Sequence, residues 1–181
     1  MNCNSSVNPS TGAVSASCGV LKGDEHRNVN AGVFARNNFL EGPVTKGVYA
    51  GVNSNGHSLS VEHGHTQGFG SSTTTAAQAN IFQNKQAMMN ATASHTHTRS
   101  LDQFAGGLNL NTARGHAASV GVNHIPKYNM TTMNASGKVN LMTSPSGNLS
   151  LDATANAMRH MSGPFRGKSE LGTGLHLTGR F

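Results

Sequence analysis

A chain of 181 residues suits one domain or two small ones, and with 35% hydrophobic residues, no Trp and two Tyr it is poor in large core side chains. A net charge of +6 favours anionic partners, but only 11% of residues are charged and Lys and Arg are scattered. No nucleic-acid motif or aromatic RNA-binding submotif appears, and no stretch approaches the ~20 apolar residues of a membrane-spanning helix.

The first possible element is a hairpin over residues 3–18. Pro9 to Gly12 supply turn chemistry, so Val7 would face Val14 and Cys3 would face Cys18. That alignment allows a Cys3–Cys18 disulfide in an oxidising compartment, while two free thiols in a reducing one remain the alternative. Beyond it, Gly19, Gly23, Gly32 and Gly42 punctuate a segment that reads as mostly irregular. From there, turn chemistry recurs at Asn53-Ser54-Asn55-Gly56, Asn84-Lys85, Ala113-Arg114-Gly115 and Ser144-Pro145-Ser146-Gly147. Between the turns the chain alternates. Ala118, Val120 and Val122 stand against Ser119, Gly121 and Asn123, and Leu149 to Ala157 and Leu171 to Leu177 do the same. Residues 75–93 fit a helix poorly, because the matching later segment contains Pro145 and Gly147. The expectation is an all-β chain, an antiparallel meander of hairpins closing into a small barrel or sandwich of marginal stability, after an irregular N-terminal segment. An outer-membrane barrel also alternates, but the seven Phe are too few and too irregular for aromatic girdles, so a soluble barrel or sandwich that touches membranes is preferred.

The alternating region is duplicated. Gly51-Val52-Asn53 through Val61 has a looser echo from Gly107-Leu108-Asn109 to Val120. Ala79-Asn80-Ile81-Phe82-Gln83 answers to Val139-Asn140-Leu141-Met142-Thr143, and Met89-Asn90-Ala91-Thr92-Ala93 to Leu151-Asp152-Ala153-Thr154-Ala155. Such a period marks a repeated supersecondary unit. It divides the chain into an N-terminal segment (1–43) and two glycine-rich repeats (44–103 and 104–181) that together form one β unit.

Catalytic motifs are missing: there is no Gly-x-Ser-x-Gly, Walker loop or His-Glu-x-x-His, and the seven acidic residues leave little material for a carboxylate pair. Ten histidines are the chemical temptation. His63 with His65, and His95 with His97, share strand faces, and His57 or His124 could complete a metal site. Glu62 would point away from His63, however, and nothing reinforces the pairs, so the pattern reads as solvent-facing imidazoles with neither metal nor cofactor.

The run from Gly42-Pro43-Val44 through Gly56-His57, continuing Leu59-Ser60-Val61-Glu62-His63-Gly64-His65-Thr66 and Gly68-Phe69-Gly70, resembles the attacin family of insect antibacterial proteins. Ala77-Gln78-Ala79-Asn80-Ile81-Phe82-Gln83-Asn84-Lys85 is similar to the family too, and the likeness extends loosely over residues 29–181, weakest from Gly163 to Phe181. It implies a non-enzymatic, secreted defence protein of innate immunity acting on Gram-negative bacteria. The implied route is binding of lipopolysaccharide and disturbance of the outer membrane's assembly and permeability. The start of the chain carries no basic region followed by an apolar stretch and cleavage site, so a leaderless, intracellular form is the alternative. Contact with the bacterial surface is expected to be peripheral and made by a monomer, through Lys46, Lys85, Arg99, Arg114, Lys127 and Lys138. The competing reading is a Gly- and Asn-rich structural β-protein that self-assembles.

Overall fold

The computed structural model describes residues 2–7, 13–37, 42–145 and 148–179. Twelve strands follow one another: β1 (Asn2–Val7), β2 (Val14–Gly23), β3 (Arg27–Arg36), β4 (Thr45–Ser54), β5 (His57–Thr66), β6 (Gly70–Gln83), β7 (Ala87–Thr98), β8 (Asp102–Thr112), β9 (Ala117–Ile125), β10 (Met130–Thr143), β11 (Leu149–His160) and β12 (Ser169–Gly179). A 3-10 turn at Pro126–Tyr128 links β9 to β10, and no α-helix occurs among the described residues. The strand order follows the chain from β1 to β12, so the all-β antiparallel meander expected from the alternation is what forms. Among the described residues no ladder joins β1 to β12, and the sheet is not closed into a barrel.

Turn chemistry explains the hairpins. Asn55 and Gly56 both take positive φ (50° and 82°), the pair of left-handed residues that a tight β4–β5 turn requires. At the β2–β3 turn, Asp24 Oδ1 accepts from the backbone N–H of His26 and Arg27 at 2.8 and 2.7 Å. Asn84 does the same for Gln86 and Ala87 at the β6–β7 turn, both at 2.8 Å. At the β10–β11 turn, Ser144 Oγ accepts from Leu149 N–H at 3.1 Å. Positions 24 and 84 thus share one device, and Ser144 serves the longer β10–β11 turn with a hydroxyl acceptor. The irregular N-terminal segment expected from spaced glycines is instead strand over β1, β2 and β3. Glycine weakens the apolar signal there without preventing extended backbone, and Asp24 stands where Asn84 does, with a different side chain accepting the same pair of bonds. The expected Pro9–Gly12 turn lies outside the described residues, but its flanks pair as β1 with β2, Cys3 opposite Cys18 and Val7 opposite Val14.

The chain divides into two compact units, Met1–Gln78 with Ser94–Asp102, and Ala79–Ala93 with Gln103–Phe181. In the first, the registers of β1 to β6 put Val20, Ala31, Ala50 and Val61 on one face, and Gly19, Gly32, Tyr49 and Glu62 on the other. In the second, Leu108, Val120, Ala135, Ala157 and Leu171 share a face opposite Asn109, Ser119, Ser136, Asn156 and Gly172. Cross-strand pairs are therefore like with like.

Alternation leads one to expect the apolar face inside. The reverse holds: no hydrophobic residue is buried among the described residues, and Leu171, Leu175 and Leu177 are 79%, 70% and 68% exposed. Along β4 the polar-face positions (Thr45, Gly47, Tyr49, Gly51, Asn53) are half-buried, whereas Lys46, Val48, Ala50, Val52 and Ser54 are exposed. The cause lies on the polar face. Tyr49 lays its ring over Gly19 and Gly32, where a Cβ would strike its hydroxyl, and Phe34 lies against Gly47 and Gly64 in the same way. Small residues let large neighbours fold flat across them, covering that face from within.

Candidate functional site

On the polar face of the first unit, Arg36 Nη2 donates to Glu62 Oε1 at 2.6 Å while its guanidinium stands 4.9 Å from the Phe34 ring. Thr45 and Thr66 hydroxyls bond at 2.7 Å, and Asn53 Nδ2 donates to Asn28 Oδ1 at 2.8 Å. The second unit is organised alike: Asn140 Nδ2 donates to Asp152 Oδ1 at 2.8 Å, and Lys138 Nζ lies 3.6 Å from Asp152 Oδ2. A polar groove of 680 Å³ follows, lined on this face by Asn109, Ser119, Ser136, Lys138, Thr154 and Asn156. Polar groups on these faces largely satisfy one another.

The histidines are brought together in part. His63 and His65 are on the apolar face of β5, bonded through Nδ1 to Thr73 (2.8 Å) and Ser71 (3.0 Å) of β6. Glu62 points to the opposite face, as expected. A 3.0 Å bond between the Thr74 and Thr96 hydroxyls puts Thr96 on the polar face and hence His95 and His97 on the apolar one. His97 Nδ1 and His95 Nε2 donate to Asp102 Oδ1 at 2.8 and 3.0 Å, since a carboxylate can only accept. These bonds, that from His97 first and then that from His95, hold the Asp102 carboxyl below the usual aspartate value. Among the described residues no three His, Cys, Asp or Glu side chains converge as metal ligands. Sequence reasoning missed Asp102, which sits across a turn from both histidines with no local signal beyond proximity.

The proposed anion-binding residues divide by position. Lys46 is at the end of β4 on the apolar face, opposite His65, and Arg99 is in the β7–β8 turn. Lys85 and Arg114 occupy the β6–β7 and β8–β9 turns, which meet where Ala113 N–H donates to Gln86 O at 2.8 Å. Lys127 lies in the β9–β10 link, its Nζ 5.9 Å from the Tyr128 ring centre. Lys138 alone is in mid-strand, on the polar face, with its charge answered by Asp152. Residues outside the expected set complete the pattern. Arg159 closes β11, and Arg166 and Lys168 lie in the β11–β12 connection, with Lys168 Nζ 5.2 Å from the Phe165 ring centre. That connection meets the β9–β10 link, Ser162 Oγ donating to Asn129 O at 2.7 Å. Gly163-Pro164-Phe165-Arg166-Gly167-Lys168, read as a turn between two alternating runs, could have found this cluster.

At the N-terminal edge a disulfide joins Cys3 to Cys18 across β1 and β2, with Cα atoms 4.1 Å apart.

The family description "Attacin, N-terminal region" matches residues 1–65 and "Attacin, C-terminal region" matches residues 67–181. Attacin-A of Glossina morsitans morsitans is 38% identical over 97% of this chain and 88% of its own length. Attacin-B of Drosophila melanogaster is 32% identical over 88% of this chain and 75% of its own. Sarcotoxin II-1 of Sarcophaga peregrina is 26% identical over 86% and 73%. No solved structure matches. With both family regions accounting for nearly every residue, the chain belongs to the attacin family of antibacterial defence proteins.

Proposed function

We propose that this protein is a secreted, non-catalytic defence protein that acts on Gram-negative bacteria by binding lipopolysaccharide at the outer membrane and disturbing its permeability. The observation that carries the reading is the sorting of charge in the second unit. Lys85 and Arg114 stand at one end of the strands, and Lys127, Arg159, Arg166 and Lys168 at the other. Of the unit's two acidic residues, Asp152 faces Lys138 and Glu170 lies on the polar face near the start of β12, so cations outnumber acids at both ends. Two such clusters of cations suit the phosphates of lipid A, whose attraction is long-ranged and screened by salt. The test is growth inhibition of matched strains bearing full-length and truncated lipopolysaccharide, with binding measured at rising salt. Inhibition that tracks lipopolysaccharide structure, and binding that weakens with salt, are expected. Equal indifference of all strains, or salt-independent binding, would refute it.

A further inference from the structure

The described residues hold no buried hydrophobic side chain, and the second unit carries a continuous apolar sheet face on which Val120, Val122, Leu171, Leu175 and Leu177 are exposed. Along β11 this face runs Leu149, Leu151, Ala153, Ala155, Ala157, and β12 answers with Leu177, Leu175, Thr173 and Leu171. Val139, Ala135 and Met133 of β10, and Val120 and Val122 of β9, extend it. Its charged residues, Asp102 at the start of β8 and Arg159 near the end of β11, both stand at the rim. From Leu149 to Ala157 is roughly 26 Å of strand at ~3.3 Å per residue.

We propose that the apolar face of β8–β12 seats against lipid acyl chains in an anionic membrane, with the polar face left to water. Three observations argue for acyl chains as the occupant. First, polarity is inverted relative to a water-soluble sheet along β9 and β12: Ser119, Gly121, Asn123, Gly172 and Gly174 are half-buried, while Val120, Val122, Leu171 and Leu175 are exposed. Protein strands adopt that arrangement where the outside is hydrocarbon. Second, the enclosed Asn123 Oδ1 on the polar face has no hydrogen-bond partner among the described residues, which suits a face open to water. Third, what borders the apolar face matches a membrane interface. Tyr128 beside Lys127 and Phe165 beside Lys168 set rings and cations at one end, and Lys85 and Arg114 set cations at the other. Rings of this kind lodge at the headgroup level, and the cations meet anionic phosphates. A second copy of the chain would bury the same leucines, but it would bring these cations against their own kind.

The proposal deepens the outer-membrane reading, and its test separates the two by omitting lipopolysaccharide. The chain has no Trp, so single tryptophans report cleanly. Leu175→Trp places one on the apolar face and Asn109→Trp one on the polar face. Both full-length variants are added to vesicles of phosphatidylethanolamine and phosphatidylglycerol carrying brominated acyl chains, after circular dichroism confirms an unchanged strand signal. Blue-shifted, quenched emission from position 175 and unquenched emission from position 109 are expected. Ala155→Arg, a charge in the middle of the face, should lower vesicle partitioning about 30-fold or more. Equal quenching at both positions, or quenching at neither, overturns the proposal. So does a blue shift at position 175 without vesicles, accompanied by dimer in sedimentation, because a second copy would then cover the face. Bacterial killing without quenching would leave the antibacterial reading standing and this one refuted, and quenching without killing the reverse.

Discussion

The two units are built from the same alternation, yet they place their charges differently. On the apolar face of the first unit, Lys22, Arg27 and Lys46 stand among the valines, and His57, His63 and His65 interrupt β5. On that of the second, Arg159 at the rim is the one charged residue and His124 lies at the same end. The packing of the polar face differs as well. In the first unit, aromatic rings lie flat over paired glycines, whereas in the second the side-chain amides of Asn134 and Asn156 stand beside Gly121 and Gly172. One sequence pattern therefore produces two surfaces, because period two decides which residues share a face and says nothing about where the charges interrupt it.

The largest effect should come from testing that difference directly. Ala50→Arg puts a cation among cations in the first unit, and Ala155→Arg puts one into an unbroken apolar face. If the second unit alone meets hydrocarbon, vesicle flotation should show loss of binding for Ala155→Arg of about 2 kcal/mol or more, and little change for Ala50→Arg. Equal losses would erase the distinction between the units.

Comparable in size is the effect of the staple of the first unit. Cross-linking across a loop of the Cys3–Cys18 separation of 15 removes chain entropy of about 3 kcal/mol from the open state. Replacing both cysteines by serine should therefore speed amide exchange in β1 by roughly a hundredfold, and leave β10 to β12 unchanged. Exchange that rises throughout the molecule would mean that the edge hairpin supports the second unit too.

Glycine packing predicts a smaller contrast. In Gly32→Val the new side chain meets the Cys18 carbonyl and the Tyr49 hydroxyl, and urea unfolding should show a loss of about 1–3 kcal/mol. Gly137→Val meets nothing within 4 Å and adds a residue that favours strands, so it should be neutral or slightly stabilising.

The smallest effect concerns Asp102. Its folded-state pKa is lowered by His97 and then His95, so its contribution is present above the ordinary aspartate value and disappears as pH falls through the lowered one. Asp102→Asn should melt below the parent at neutral pH, and the gap should close as pH falls below the ordinary aspartate value and through the lowered one. A gap that is independent of pH would point to lost packing instead.

Much of this was legible in advance. The β4–β5, β6–β7, β8–β9 and β10–β11 hairpins, the shared faces of Leu149 to Ala157 and of Leu171 to Leu177, and the opposition of Glu62 to His63 follow from period two and from Asn-Gly, Asn-Lys, Arg-Gly and Ser-Pro punctuation. The N-terminal strands did not stand out, because glycine thins the apolar alternation while leaving backbone pairing possible. The Asp102 pair with two histidines and the cation cluster around Phe165 also escaped, since each joins residues through a turn that periodicity does not describe.

By itself, the sequence determined the strands, their order of pairing between neighbours and the membership of each face, because side chains alternate strictly along extended backbone. Only the tertiary structure decided which face is covered. A strand reads the same whether its valines meet a second layer, a partner or lipid. Here the deciding contact was Tyr49 and Phe34 lying across glycines of neighbouring strands, which covers the polar face and leaves the apolar one bare.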